Sequence, residues 1–233
     1  MPKYVIDAHR LVGPVPFDDL PPDPRPEMDR LGIERACVTH TLSLYSDPRA
    51  GNDALLALDD PRLVPVPVVV PAVAPGSGEP GTPEEVAAWG VRMVRLCPER
   101  HRFDLTGPSA LRLLAAIALP VAIDLDETSP AQLRHLAGRL PDLPILVLNP
   151  GYRRLRELAE LMGEAPNVRA EIGTVNTQGG VEWLAGRFGA GRLVFGTGAP
   201  VADDCGPRFL LDHLDLPAED VDRIAAGSLE ELL

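Results

Sequence analysis

The chain has 233 residues, of which 45% are hydrophobic and 24% charged, a composition typical of a globular domain and not of a disordered segment. Its formal net charge is −12, which argues against a nucleic-acid partner, because contacts with phosphates need a basic surface. No apolar run reaches the roughly 18 residues of a membrane span. The N-terminal residues lack the apolar core of a signal peptide, so we expect a cytoplasmic protein with no membrane partner.

Eight short apolar runs, each bounded by Pro, Gly or polar residues, predict eight β-strands. These runs are Tyr4–Ala8, Ala36–Thr39, Leu63–Val70, Val91–Leu96, Pro120–Leu125, Pro144–Leu148, Val168–Ile172 and Arg192–Phe195. Several of them are almost wholly apolar, as in strands that are covered on both faces.

Helical patterns lie between the apolar runs. They are Glu27–Leu31, Asn52–Leu58, Pro83–Trp89, Pro108–Ala118, Ser129–Leu140, Tyr152–Met162, Gly179–Phe188 and Pro217–Leu233. Strand and helix alternate eight times, which implies parallel strands joined by right-handed crossovers. We therefore predict an α/β fold, a single (β/α)8 TIM-like barrel spanning residues 1–233. A doubly wound open sheet is the alternative.

Polar residues at the carboxyl ends of the predicted strands are the candidates for a site, because barrel enzymes place their active sites there. The candidates are His9, Arg10, His40, Arg95, Asp124, Asp126, Asn149, Glu171 and Asn176, together with the segment Thr197–Cys205. Alternation along the first strand places Asp7 and His9 on one face. They form either a polar site or a buried histidine bonded to a neighbouring carboxylate.

The roles of the other candidates stay open at this point. Asp124 could share acid and base roles with a nearby carboxylate, or it could pair with Arg95 or cap a loop. His40 ends the second strand and would lie beside His9 as a base, or it is an ordinary histidine at the solvent edge. Asn149 could orient a carbonyl or an oxyanion, or form a turn at the strand end.

Several segments in chain order resemble the amidohydrolase-related branch of the amidohydrolase superfamily, which contains metal-dependent hydrolases and nonoxidative decarboxylases. The opening IDAHRL resembles the family's first strand, Asp-x-His-x-His. GVRMVRLCP, LPVAIDLD and ILVLNPG are similar to its fourth, fifth and sixth strands, and FGAGRLVFGTGAP resembles the eighth-strand sequence around FGSDxP. The resemblance implies a barrel whose metal-binding residues follow these strands.

The positions that hold the metal in that family are mostly changed. By the resemblance, His9 is retained, Leu11 replaces the second histidine, and Asp124 and Asn149 stand where the fifth and sixth strands carry histidines. Gly198 replaces the aspartate that serves the family as general base and metal ligand. Leucine and glycine offer no donor, and an amide oxygen is a weak ligand. We therefore expect neither a metal nor another cofactor.

Two functions follow from these patterns, each with a small-molecule ligand in the barrel mouth. In the first, the chain is a metal-independent acid–base hydrolase or lyase. Its expected catalytic residues are His9, Asp124 and His40, and its expected substrate-binding residues are Arg95, Asn149, Glu171 and Asn176. In the second, it is an inactive relative that binds a ligand or a partner. A weaker third hypothesis is a relocated metal site formed by His9, His40, Asp124 and Glu171. The sequence leaves a homo-oligomer open.

Overall fold

A computed structural model describes residues 2, 4–72, 78–202 and 205–233, and all eight predicted strands are present among them. Their bounds are β1 Ile6–Val12, β2 Arg35–His40, β3 Leu63–Pro65, β4 Val94–Leu96, β5 Val121–Asp124, β6 Ile145–Leu148, β7 Val168–Glu171 and β8 Leu193–Val194. Neighbouring strands pair in parallel and in sequence order. This order differs from that of a doubly wound sheet, in which the strand order reverses.

The strands form two sheets, β1-β2-β3 and β4-β5-β6-β7-β8, which meet at two seams. At one seam Val68 bridges Arg95, and at the other Arg10 bridges Ala199. The main-chain N–H of Leu11 also donates to the oxygen of Ala199 at 2.8 Å. The architecture is the predicted (β/α)8 barrel, with isolated bridges rather than continuous ladders at both seams.

Helices connect the strands. They are α1 Arg25–Leu31, α2 Thr41–Tyr45, α3 Pro48–Leu56, α4 Pro83–Trp89, α5 Pro108–Ile117, α6 Pro130–Arg139, α7 Leu155–Glu164, α8 Gly180–Phe188, α9 Cys205–Asp212, α10 Ala218–Asp222 and α11 Ser228–Glu230. Helices α2 and α9 were not predicted, and a π-helical turn at Arg223–Gly227 divides the predicted C-terminal helix. Within the described ranges, no helix has the length and apolar character needed to cross a membrane.

Alternation along the strands separates an outer core from an inner one. Outward residues such as Val38, Ile123 and Val147 pack beneath the helices. The inner core includes Ile6, Cys37, Met93, Ala122, Leu146 and Val194, together with Leu229 of α11. A third group, here called the mouth cluster, consists of Leu11, Leu44, Val68 and Cys97. It lies at the carboxyl ends of the first strands, where a barrel carries its site.

A β-bulge in β1 decides which of its polar residues face the barrel interior. The register with β2 shifts between Asp7 and Arg10, which pair with Ala36 and Val38 of the outer core. Asp7 and Arg10 therefore lie on the outer side, whereas His9 turns toward the interior. The predicted shared face of Asp7 and His9 is wrong, because the extra residue of a bulge breaks the alternation of side chains.

Candidate functional site

A histidine–glutamate pair lies at the centre of the candidate site. The Nδ1 of His9 lies 3.2 Å from the Oε2 of Glu171, at the end of β7. Glu171 is fully buried and His9 is 4% exposed. The Nε2 of His9 has no hydrogen-bond partner among the described residues. In a neutral imidazole the carboxylate therefore holds the proton on Nδ1 and leaves the Nε2 lone pair available as a base.

Two glycines that follow β7 and β8 leave room for the Glu171 carboxylate. A Cβ on Gly196 would lie 2.6 Å from the Cγ of Glu171, and a Cβ on Gly173 would lie 2.6 Å from its Oε1. The Oε2 also accepts the main-chain N–H of Asn149 at 3.1 Å, whereas the buried Oε1 accepts no hydrogen bond from the described residues. Because buried carboxylate oxygens are normally hydrogen-bonded, Oε1 can take a donor from a bound molecule.

Asn149 joins Glu171 to a second carboxylate. Its side-chain Nδ2 donates to the Oδ2 of Asp124 at 2.6 Å, while its backbone adopts a left-handed φ of 45° that asparagine tolerates well. The Oδ1 of Asp124 accepts the main-chain N–H of Asp126 at 3.0 Å. Both oxygens of Asp124 are thus engaged, so its carboxylate orients Asn149 and caps the turn that follows β5.

Gly198 lies next to both Asn149 and His9. A Cβ on Gly198 would lie 3.3 Å from the Oδ1 of Asn149 and 3.7 Å from the Cε1 of His9. With the Asn149–Asp124 hydrogen bond, these contacts place His9, Asp124, Asn149 and Gly198 around one end of the barrel, as the resemblance implies.

Arg95 is a buried cation of the barrel interior. It alternates in β4 with Val94 and Leu96 of the outer core, so it faces inward, and it is 5% exposed. Its Nε has no hydrogen-bond partner among the described residues, and no ion pair joins it to a described carboxylate. Of the two structural alternatives for Asp124, the pairing with Arg95 is therefore not found, whereas the capping of a loop is, because its Oδ1 accepts the main-chain N–H of Asp126. Burying an uncompensated charge is unfavourable, which makes Arg95 suited to an anionic ligand.

Two of the expected site residues lie away from the histidine–glutamate pair. His40 pairs in register with Val12 of the outer core, and its Nδ1 accepts the main-chain N–H of Leu42. The expectation that His40 lies beside His9 is wrong, because alternation along β2 turns its side chain outward. Asn176 is exposed on the loop after β7 and makes no hydrogen bond to a described residue.

The sequence did not indicate the structural role of Asp7. This fully buried carboxylate accepts the main-chain N–H groups of His9 at 2.9 Å and Thr197 at 3.0 Å. It also accepts the Thr197 hydroxyl at 2.6 Å and lies 3.5 Å from Arg10. Burial raises the pKa of Asp7 above its ordinary value, against the opposing effect of Arg10. Asp7 therefore fixes the backbone on both sides of the seam that carries His9.

A family profile described as Amidohydrolase matches residues 8–228. The chain belongs to the amidohydrolase family. No curated protein matches the sequence of this amidohydrolase significantly. Its fold is nevertheless shared by many solved structures.

Three solved structures illustrate the similarity. An uncharacterised TIM-barrel protein from Bordetella bronchiseptica is 18% identical, with a TM-score of 0.71 and 98% of each chain covered. A 5-carboxyvanillate decarboxylase from Sphingomonas paucimobilis is 13% identical, with a TM-score of 0.74 and coverage of 99% of this chain and 98% of that one. A dihydroxybenzoic acid decarboxylase from a Polaromonas species, with bound manganese and 2-nitroresorcinol, is 15% identical, with a TM-score of 0.69 and coverage of 99% and 96%.

The described residues of this amidohydrolase offer no set of ligands for an ion such as the manganese of the Polaromonas enzyme. Across the part of the chain that the structure describes, no three His, Cys, Asp or Glu side chains are grouped to hold a metal. Leu11 packs into the mouth cluster, Gly198 has no side chain, and Asp124 is engaged through both oxygens. The hypothetical relocated site is not assembled either, because His40 faces outward.

Restoring an aspartate at position 198 is expected to destabilise the protein without creating a manganese site. Gly198 has a φ of 70°, and a Cβ there would lie 3.1 Å from the Cβ of Ala202. We expect Gly198→Asp to lower the free energy of unfolding by about 1–3 kcal/mol, measured by urea unfolding with and without manganese chloride. Gly90→Asp is the control, since Gly90 has a left-handed φ of 63° but open space around it. Tight manganese binding by Gly198→Asp would contradict the expectation.

Proposed function

We propose that this chain is an enzyme of the amidohydrolase family that acts on a small molecule by general acid–base catalysis, without the metal of its relatives. The observation that carries the proposal is the buried His9–Glu171 pair, in which Nδ1 of the histidine is engaged and Nε2 has no partner among the described residues. A base held in orientation by a carboxylate is a recurrent catalytic arrangement.

In this proposal His9 is the proton-transferring residue. Its Nε2 accepts a proton from the substrate or from an attacking water, and the resulting imidazolium is stabilised by the Glu171 carboxylate behind it. The same nitrogen then returns the proton to the leaving group or carbon centre, so that the enzyme ends in its starting state. General acid–base catalysis of this kind contributes typically about 10²–10⁴-fold to a rate.

Two further residues would bind and orient the substrate. The inward-facing Arg95 would bind a carboxylate or another anionic group, because its charge is not balanced by an ion pair with a described residue. Asn149, held by Asp124, carries its Oδ1 beside Gly198, which also lies next to His9. The similar solved structures include decarboxylases of aromatic acids, and we propose small aromatic carboxylates as the first substrate class to examine.

One observation favours the second function, an inactive relative that binds a ligand. The mouth cluster fills part of the barrel end with buried apolar side chains, and Leu11 takes a place that holds a histidine in the family. Under this alternative His9 and Glu171 are a structural pair. The same small carboxylates would bind without being converted.

Turnover of a substrate panel separates these functions. Wild-type protein is treated with a chelator and screened against hydroxybenzoates, lactones and small amides, with and without added manganese chloride. The proposal expects turnover that survives chelation and falls about 10²-fold or more in His9→Gln. His135→Gln is the matched control, because His135 is exposed on α6. Turnover that requires manganese would overturn the proposal, and binding without turnover would support the inactive relative.

A further inference from the structure

His40 caps helix α2 in a way that depends on its protonation state. The helix begins at Thr41, and the Nδ1 of His40 accepts the main-chain N–H of Leu42 at 3.1 Å. Nδ1 can accept this bond only while it carries no proton, so the histidine is neutral with its proton on Nε2. His40 is 8% exposed, and its ring packs so closely on Gly13 that a Cβ there would lie 2.6 Å from Nε2.

Acidic groups face the other side of this histidine. A cavity of about 310 Å³ is bordered by His40 and by Asp23, Arg25, Asp59 and Asp60. Arg25 pairs with Asp23 at 2.8 Å and with Asp60 at 3.3 Å. Three carboxylates thus face a single guanidinium, and the excess negative charge would stabilise an imidazolium turned toward the cavity.

Helix α2 links His40 to the mouth cluster. Leu44 belongs to that cluster with Leu11 and Cys97. The helix is also held by His101, whose Nε2 lies 3.0 Å from the main-chain oxygen of Ser43. This bond survives protonation of His101, because a protonated imidazole still donates through Nε2. The cap at His40 is the contact of α2 that acid removes.

We propose that His40 is a protonation-sensitive latch: its protonation releases the first turn of α2 and loosens Leu44 from the mouth cluster. In the imidazolium, Nδ1 carries a hydrogen that points at the N–H of Leu42, so two donors oppose each other. The latch itself does not depend on the proposed catalysis; only its consequence for substrate at the barrel mouth rests on that proposed function.

The direction of the pH dependence follows from burial, which lowers the pKa of His40 below its ordinary value. The unfolded chain therefore binds a proton at this residue more readily than the folded chain does. The stability that the neutral cap contributes is complete above the ordinary histidine pKa of about 6.5. It is lost as the pH falls from there through the lowered pKa of the folded state.

Amide hydrogen exchange across α2 tests the latch without any substrate. Corrected for intrinsic rates, protection of the Leu42 and Leu44 amides should fall about tenfold or more as the pH drops from about 7.5 to about 5.5. In His40→Asn the protection should stay flat, because the asparagine oxygen caps the helix but does not titrate in this range. His40→Ser is a second non-titrating cap, should His40→Asn fail to fold.

Two comparisons decide the outcome. His101→Gln should keep the pH dependence of the wild type, since the titration is assigned to His40. Flat protection in the wild type, or an unchanged pH dependence in both His40 variants, would overturn the latch. A latch that is observed in a protein without turnover would leave the latch standing and contradict only the proposed function.

Discussion

Replacing Glu171 by glutamine is expected to lower turnover about 10²-fold or more while leaving the fold intact. Glutamine has nearly the shape of glutamate, and its carbonyl oxygen can accept the two donors that now meet at Oε2, from His9 and from Asn149. The substitution removes the negative charge that would stabilise a protonated His9. The effect should therefore appear in kcat and only weakly in the melting temperature.

The measurement is steady-state turnover of whichever substrate the panel yields, together with thermal unfolding. Glu157→Gln is the matched control, because Glu157 is an exposed residue of α7 that pairs with Arg154. It should change neither quantity measurably. Full activity in Glu171→Gln would remove the basis for His9 as the proton-transferring residue.

Gly173→Ala is expected to lower the free energy of unfolding by about 3 kcal/mol or more. A Cβ on Gly173 would lie 2.1 Å from the main-chain oxygen of Gly196 and 2.6 Å from the Oε1 of Glu171. The first of these is a backbone atom of the strand end and cannot turn aside as a flexible side chain would. Because Glu171 would also be displaced, activity should fall with stability.

Thermal unfolding measures this effect, with an expected fall in Tm of roughly 6–12 °C for a chain of this size. Gly138→Ala is the control, since Gly138 lies within α6 and a Cβ there would meet no neighbouring atom within 4 Å. It should stabilise the protein by about 0.5–1 kcal/mol, because alanine favours a helix. Equal melting temperatures for wild type and Gly173→Ala would contradict the prediction, because the backbone at Gly196 would then have moved aside at little cost in free energy.

The strands could be predicted because their signal is local. A run such as Ile145–Leu148 is buried on both faces in the structure, which is what its unbroken apolar sequence indicates. Helix α2 could not be predicted in the same way. Its five residues are too few for a helical period, and it depends on the cap from His40 and the bond from His101. The bulge in β1 likewise depends on pairing with β2.

The site residues were easier to identify than their partners. His9 and Glu171 were both candidates, but they are 162 residues apart in the sequence, and the adjacent Asp7 was the more obvious carboxylate. Asn149 donates from its backbone to one carboxylate and from its side chain to another. It makes that double contact from a left-handed backbone, a conformation that the residue type allows but does not locate in the sequence.

The two seams of the barrel also mark where the chain could be divided into two fragments. The three-stranded sheet meets the five-stranded sheet at two places. One is the Val68–Arg95 bridge, which follows β3, and the other is the Arg10–Ala199 bridge, which involves β1. Each seam is marked by an arginine that is almost fully buried. Cleavage between β3 and α4 would leave two pieces, each with a complete sheet. Such pieces are suited to complementation, in which the pair of His9 and Glu171 forms again only when the pieces reassociate.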